Sequence, residues 1–156
     1  VNMKEIIEKL TKLKKTISTM ESCTGGSVAN AITNIEGSSE VFSFGAVTYS
    51  NEYKIKMGIA KDTINKYTVY SKEVANEMSY NIAKYTNSNY GIGVTGKLNK
   101  ADKFNPYKED NIVYISIYDR DNNKCYNDKI IVTNRNRSDN KKQVLDKIIN
   151  MLNRII

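Results

Sequence analysis

The sequence predicts an α/β fold, in which a mixed sheet of about five strands is covered by helices on both faces. Three observations lead to this prediction. Helical and strand-like hydrophobic patterns alternate along the chain, two strand-like segments end at glycine-containing turns, and an amphipathic helix is expected at each end. Because its 156 residues match the size of one domain, we expect a single domain over 1–156.

The first half of the chain predicts two helices and two strands. Apolar residues at helical spacing among lysines indicate a helix over 3–14, and a short strand over 16–20 follows. Small and apolar residues suit a closely packed helix over 27–33. After a break at Gly37, aromatic and β-branched residues predict a strand over 41–49.

Helices dominate the middle of the chain. Two short helices are expected over 51–57, capped by Ser50 or Asn51, and over 62–66. Ser71 is a suitable N-cap for a longer helix over 72–85.

The last third of the chain predicts a strand, a loop, a hairpin and a helix. A buried-type strand is expected over 90–94, followed by a polar, lysine-rich loop over 97–110. An Asp-Asn-Asn turn at 121–123 should join strands over 112–118 and 129–133. Ser138 is then expected to cap an amphipathic final helix.

Composition excludes several kinds of site. The chain has no histidine, which rules out Ser-His-Asp and Cys-His catalysis and any metal site that needs imidazole. Cys23 and Cys125 do not have metal-ligand spacing, so we expect two free thiols in a reducing cytoplasm. No apolar run approaches a membrane span, and the charged, helical N-terminus does not resemble a signal peptide. We therefore expect a cytoplasmic protein without a membrane partner.

The net charge of +7 allows two kinds of partner. A basic surface could attract nucleic acid, and a basic cleft could attract a phosphorylated small molecule. The positive residues are spread over 12–15, 97–108 and 135–147. Because the positive charge is not concentrated in one block, we do not expect dedicated nucleic-acid binding. A homo-oligomer remains open.

Ser22 is a candidate nucleophile because it follows a predicted strand and precedes Gly25, Gly26 and a helix. Backbone N–H groups at such a turn can hold a phosphate or an oxyanion. The same pattern also fits an ordinary strand-to-helix turn with Ser22 or Thr24 as the helix cap. Cys23 is a rival nucleophile, whose alternative is a buried, inert thiol.

Without histidine, a lysine is the natural base for a serine. Lys54 could serve if burial or nearby cations lower its pKa, and otherwise it is a solvated lysine like Lys56. Tyr49 could donate to a leaving group, orient Lys54 or face the core. Arg137, near the start of the last helix, could bind a phosphate or remain solvated.

Five motifs carry a resemblance to a known family. They are Glu-Ser-Cys-Thr-Gly-Gly at 21–26, Gly-Ser-Ser at 37–39, Val-Thr-Tyr-Ser-Asn-Glu-x-Lys at 47–54, Ser-x-Glu-Val-Ala at 71–75 and Val-Thr-Gly at 94–96. Together they resemble the C-terminal domain of the competence-damage protein CinA, the nicotinamide-nucleotide amidohydrolase family. The resemblance runs in order over nearly the whole chain.

The resemblance implies a three-layer α/β/α fold with a mostly parallel sheet. It implies deamidation of nicotinamide mononucleotide to nicotinate mononucleotide and ammonia, a step of NAD salvage, without a metal or organic cofactor. In this chain Ser22 would be the nucleophile, Lys54 the general base and Tyr49 a further catalytic residue. The residues implied to bind the substrate are Thr24, Gly25, Gly26, Thr95, Gly96 and, for its phosphate, Arg137.

The chain departs from the family pattern in three places. Family members with the activity typically carry a Gly-Ile-Ala-Gly-Pro-x-Gly-Gly loop after the Thr-Gly pair, where this chain has Lys-Leu-Asn-Lys at 97–100. Asn-Arg-Ser replaces Gly-Asp-Arg around Arg137, and Tyr70 replaces a small apolar residue. These departures leave two alternatives open, which are a nucleotide-binding or regulatory protein without turnover and an amidohydrolase with a different amide substrate.

Overall fold

A computed structural model describes residues 1–99 and 111–156. Most of the loop predicted over 97–110 therefore lies outside the described residues. No helix within 1–99 and 111–156 combines the length and the hydrophobicity that crossing a membrane requires.

The described residues form one five-stranded sheet in the order β2-β1-β3-β4-β5. β1 pairs in parallel with β2 and β3, whereas β4 pairs antiparallel with β3 and β5. Four of the five strands thus run in one direction, and the predicted mixed, mostly parallel sheet is confirmed. The strands are β1 (Ile17–Glu21), β2 (Gly45–Val47), β3 (Tyr90–Gly96), β4 (Ile112–Asp119) and β5 (Lys124–Ile131).

Helices cover both faces of the sheet, as predicted for a three-layer fold. The helices are α1 (Met3–Leu13), α2 (Ser27–Thr33), α3 (Asn51–Lys56), α4 (Lys61–Tyr67), α5 (Lys72–Thr86) and α6 (Arg137–Ile155), with a 3₁₀ turn at Ser38–Glu40. Ile92 and Val94 of β3 join the larger hydrophobic core with α1, α2 and α6. The alternate residues Gly91 and Gly93 face α5 on the other side.

Helix α5 lies unusually close to β3. A Cβ atom at Gly93 would come within 2.7 Å of the Ser79 nitrogen, and one at Gly91 would come within 2.9 Å of the Ala83 Cβ. Ser79 Oγ and Ser116 Oγ share a buried hydrogen bond of 2.7 Å in the same contact. The close approach is therefore possible only because β3 has glycine, without a side chain, at these two positions.

Three predicted boundaries were wrong. The strand expected over 41–49 is limited to 45–47, because the N–H groups of Val41 and Phe42 donate to the Ser38 carbonyl in the turn that follows the 3₁₀ turn. Strand β5 begins at 124 rather than 129, because it is an edge strand whose first residues do not show a regular apolar alternation. Asn136, not Ser138, caps α6 by accepting a hydrogen bond from the Asp139 N–H.

Candidate functional site

Ser22 and Lys54 meet at the carboxyl end of β1. Ser22 follows β1 directly, and its N–H donates to the Val94 carbonyl of β3 at 2.9 Å. Ser50 caps α3 and thereby sets the first turn of the helix that carries Lys54. Lys54 Nζ lies 2.9 Å from Ser22 Oγ, so the predicted nucleophile and the predicted base are in hydrogen-bond contact.

The surroundings of Lys54 favour the neutral amine. The side chain is only 1% exposed, and this burial lowers the pKa of Lys54 from 10.5 to about 8. Lys54 Nζ also donates to the carbonyls of Thr48 at 2.7 Å and Tyr49 at 3.4 Å. A neutral amine has two N–H donors for these two carbonyls, and its lone pair then remains for the Ser22 hydroxyl proton.

The pair opens into a cavity of about 370 Å³. The lining includes six of the residues predicted for the site, which are Ser22, Tyr49, Lys54, Thr95, Gly96 and Arg137. It also includes the rival nucleophile Cys23. The other lining residues were not predicted as catalytic or substrate-binding residues, and they are Asn51, Val69, Tyr70, Lys97, Leu98 and Asn99. Among these described lining residues, three have basic side chains and none carries a carboxylate.

Thr24, Gly25 and Gly26 do not line this cavity, contrary to the expected substrate contact. Thr24 is fully buried, and the Gly25 N–H donates to the Ser22 carbonyl at 3.0 Å, so it is not directed at a ligand. Gly25 and Gly26 have φ values of +61° and +102°, which turn the chain away from the cavity into α2. These three residues shape the turn that presents Ser22.

The hydroxyl of Tyr49 is engaged with Arg137. The Tyr49 side chain is 64% exposed, and its hydroxyl lies 3.4 Å from Arg137 Nη2. Arg137 Nη1 in turn donates to Asn99 Oδ1 at 3.5 Å. The contact of Tyr49 with Lys54 is made by its backbone carbonyl, and we therefore do not assign its hydroxyl a role in orienting Lys54.

Glu21 caps helix α2 next to the site, a role that the sequence analysis missed. Its buried carboxylate accepts hydrogen bonds from the N–H groups of Val28 at 2.9 Å and Ala29 at 3.0 Å. It thus replaces the expected Ser22 or Thr24 cap, since Gly26 at the N-cap position makes no side-chain bond. Glu21 lies seven and eight residues before the N–H groups that it caps, whereas a usual N-cap lies two or three residues before them. The capping pattern in the sequence therefore could not identify Glu21.

Glu21→Gln should lower the free energy of unfolding by about 1–2 kcal/mol, because a buried charged acceptor of two N–H groups becomes a neutral amide. Urea denaturation followed by circular dichroism measures this change. Glu36→Gln, at an exposed position, is the control and should change little. Equal stability of the two variants would contradict the capping role.

Cys23 is not suited to act as the nucleophile. It is 5% exposed, and burial raises the pKa of its thiol to about 12, so that the thiol stays protonated near neutral pH. Of the two candidate nucleophiles, the geometry and the ionisation both favour Ser22.

The model of the CinA C-terminal domain family matches residues 2–156. The chain belongs to the CinA family. Among curated relatives, a competence-damage inducible protein of Clostridium kluyveri is 43% identical over 122 residues, which are 77% of this chain and 30% of that protein. One from Clostridium perfringens is 49% identical over 98 residues, or 62% of this chain and 24% of its own length. This CinA chain therefore spans about a third or less of the length of these relatives.

Solved structures of CinA proteins share the fold. The competence/damage inducible protein of Agrobacterium tumefaciens is 27% identical, with a TM-score of 0.86 over 97% of this chain and 95% of that one. A CinA superfamily protein from Escherichia coli has a TM-score of 0.89 at 17% identity, covering 99% of this chain and 91% of its own. The second likeness concerns the fold alone.

Proposed function

We propose that this CinA domain hydrolyses nicotinamide mononucleotide to nicotinate mononucleotide and ammonia, with Ser22 as nucleophile and Lys54 as general base. The observation that carries the proposal is the 2.9 Å contact between Ser22 Oγ and Lys54 Nζ, made by a buried lysine whose pKa is lowered to about 8. Such a pair supplies an activated hydroxyl without histidine.

In the first half of the reaction, neutral Lys54 takes the proton of Ser22 while Ser22 Oγ forms a bond to the carboxamide carbon. The resulting ammonium of Lys54 gives that proton to the leaving nitrogen, the carbon–nitrogen bond breaks, and ammonia departs from an acyl-enzyme. In the second half, water loses a proton to Lys54 and attacks the ester carbon. Breaking the ester bond releases nicotinate mononucleotide and returns the proton to Ser22.

The turn after Ser22 is the natural place for oxyanion stabilisation. The Gly25 N–H is engaged with the Ser22 carbonyl and Thr24 does not line the cavity, so we assign the oxyanion to the backbone N–H of Cys23, which does line it. The phosphate is assigned to Arg137, at the start of α6, where it lines the same cavity as Ser22.

The experiment that tests the proposal measures ammonia and nicotinate mononucleotide released from nicotinamide mononucleotide. We expect the two products in equal amounts from the wild type and none above background from Ser22→Ala. Cys23→Ala, which changes the neighbouring residue of the cavity, is the matched control and should retain activity. Folded wild type without either product, or undiminished release by Ser22→Ala, would contradict the proposal.

A further inference from the structure

Tyr70 presents an aromatic ring to the cavity that holds Ser22 and Lys54. The ring is attached to a well-anchored segment between α4 and α5. Thr95 Oγ1 donates to the Val69 carbonyl at 2.6 Å, and the Tyr70 N–H donates to Thr68 Oγ1 at 3.2 Å. The residue is nevertheless 40% exposed, so a ligand in the cavity can reach it.

The ring of Tyr70 already carries a cation. Lys97 Nζ lies 4.5 Å from the ring centroid, within the range of a cation–π contact, and Lys97 lines the same cavity. The electron-rich π face of Tyr70 is therefore directed at a position on the cavity wall that holds a positive charge.

A cationic group of a substrate would find few other partners in this cavity. Among the described lining residues the ionisable side chains of Lys54, Lys97 and Arg137 are basic, and none carries a carboxylate. These residues suit a phosphate but repel a positive ring. The described lining offers a cation two aromatic rings, those of Tyr49 and Tyr70. The Tyr49 hydroxyl is engaged with Arg137, whereas the π face of Tyr70 already holds an ammonium group and is the better candidate.

We propose that Tyr70 is a specificity-determining residue, which binds the positively charged pyridinium ring of the substrate on its π face in place of the Lys97 ammonium. The inference rests on the proposed function, because nicotinamide mononucleotide combines such a ring with a phosphate. According to this inference, the cavity selects ligands in which a cationic aromatic ring is attached to an anionic group.

The test compares two ligands that differ in the charge of the ring. Nicotinamide mononucleotide has a pyridinium ring, whereas its reduced form has a neutral dihydropyridine with the same carboxamide and phosphate. Dissociation constants are measured by calorimetry in the Ser22→Ala background, so that turnover does not interfere. We expect tighter binding of the oxidised form by about threefold, the size of a cation–π contact at a partly exposed ring.

Tyr70→Leu in the same background should bring this ratio close to one, and Tyr70→Phe should preserve it because the π face remains. Tyr67→Leu is the matched control, since Tyr67 is 41% exposed and also carries a lysine, Lys66 Nζ at 5.2 Å, but does not line the cavity. This control should leave the ratio unchanged.

The outcomes separate the inference from the proposed function. If the oxidised form binds more tightly than the reduced form and Tyr70→Leu abolishes this preference, the inference is supported. This holds even if the wild type releases no ammonia and the proposed reaction fails. If the two forms bind equally tightly, or if Tyr70→Leu keeps the preference for the oxidised form, the inference is overturned. Deamidation by the wild type would still stand in that case. If folded protein binds neither ligand, both the inference and the proposed function are overturned.

Discussion

Replacing Lys54 by methionine should lower the rate of nicotinamide mononucleotide deamidation by roughly a thousandfold, the usual scale for loss of a general base. Methionine keeps much of the apolar stem of lysine but has no amine to take the Ser22 proton. The control is Lys56→Met, two residues away, where the lysine is exposed and pairs with Glu52 at 3.2 Å. We expect that control to keep nearly all of the activity.

The same substitution should change how stability depends on pH. Burial lowers the pKa of Lys54 from 10.5 to about 8, so between these values the folded chain binds fewer protons than the unfolded chain. The wild type therefore gains stability as pH rises through this window, whereas below about pH 8 the cost of the buried ammonium is fully present. Lys54→Met has no such group and lacks this gain.

The expected size follows from the same pKa. From about pH 7 to about pH 10, the free energy of unfolding of the wild type should rise by about 2–3 kcal/mol relative to Lys54→Met. Urea denaturation at both pH values measures the difference, and comparison between the variants removes the contribution of other titrating groups. A difference that stays constant with pH would show that Lys54 is not desolvated in the folded state.

Gly93→Ala should have the largest effect on stability, with a loss of about 3 kcal/mol or more in the free energy of unfolding. The new Cβ would lie 2.7 Å from the Ser79 nitrogen, 2.9 Å from the Met78 Cβ and still nearer the Ala75 carbonyl. The backbone of α5 cannot yield locally, so the whole helix must move away from β3. Helix α5 is also the helix that directly follows Tyr70, so activity should fall as well.

Gly37→Ala is the matched control for this substitution. A Cβ at Gly37 would meet no atom within 4 Å, although its φ of +85° is unfavourable for alanine. We expect a loss of about 1 kcal/mol there, from backbone strain alone. Thermal or urea unfolding of the two variants compares these values, and similar losses would argue against close packing of α5 on β3.

The fold was largely predictable because most of its elements show clear periodicity. The helices over 3–13 and 72–86 and the strand over 90–96 lie within a few residues of their predicted bounds. The errors in strand bounds occurred at the two edge strands. β2 is short, and the first residues of β5 lack a regular apolar alternation, because edges facing solvent do not need the hydrophobic pattern that identifies a strand.

The site was predictable only in part. Local pattern alone left Ser22 and Lys54 open between catalytic and ordinary roles, and the family resemblance selected them. The buried bond between them depends on α3 lying against the end of β1, which is a tertiary arrangement. The cap supplied by Glu21 and the place of Tyr70 in the cavity could not be predicted for the same reason. Glu21 acts across eight residues, and Tyr70 meets Lys97 only in the folded chain.

The most direct test of Lys54 as general base is the pH dependence of kcat/KM for nicotinamide mononucleotide, from about pH 6.5 to about pH 10. Because only the neutral amine can take the Ser22 proton, kcat/KM should rise about tenfold per pH unit and level off above the Lys54 pKa of about 8. A profile that is flat across this range, or that falls as pH rises through 8, would contradict the assignment.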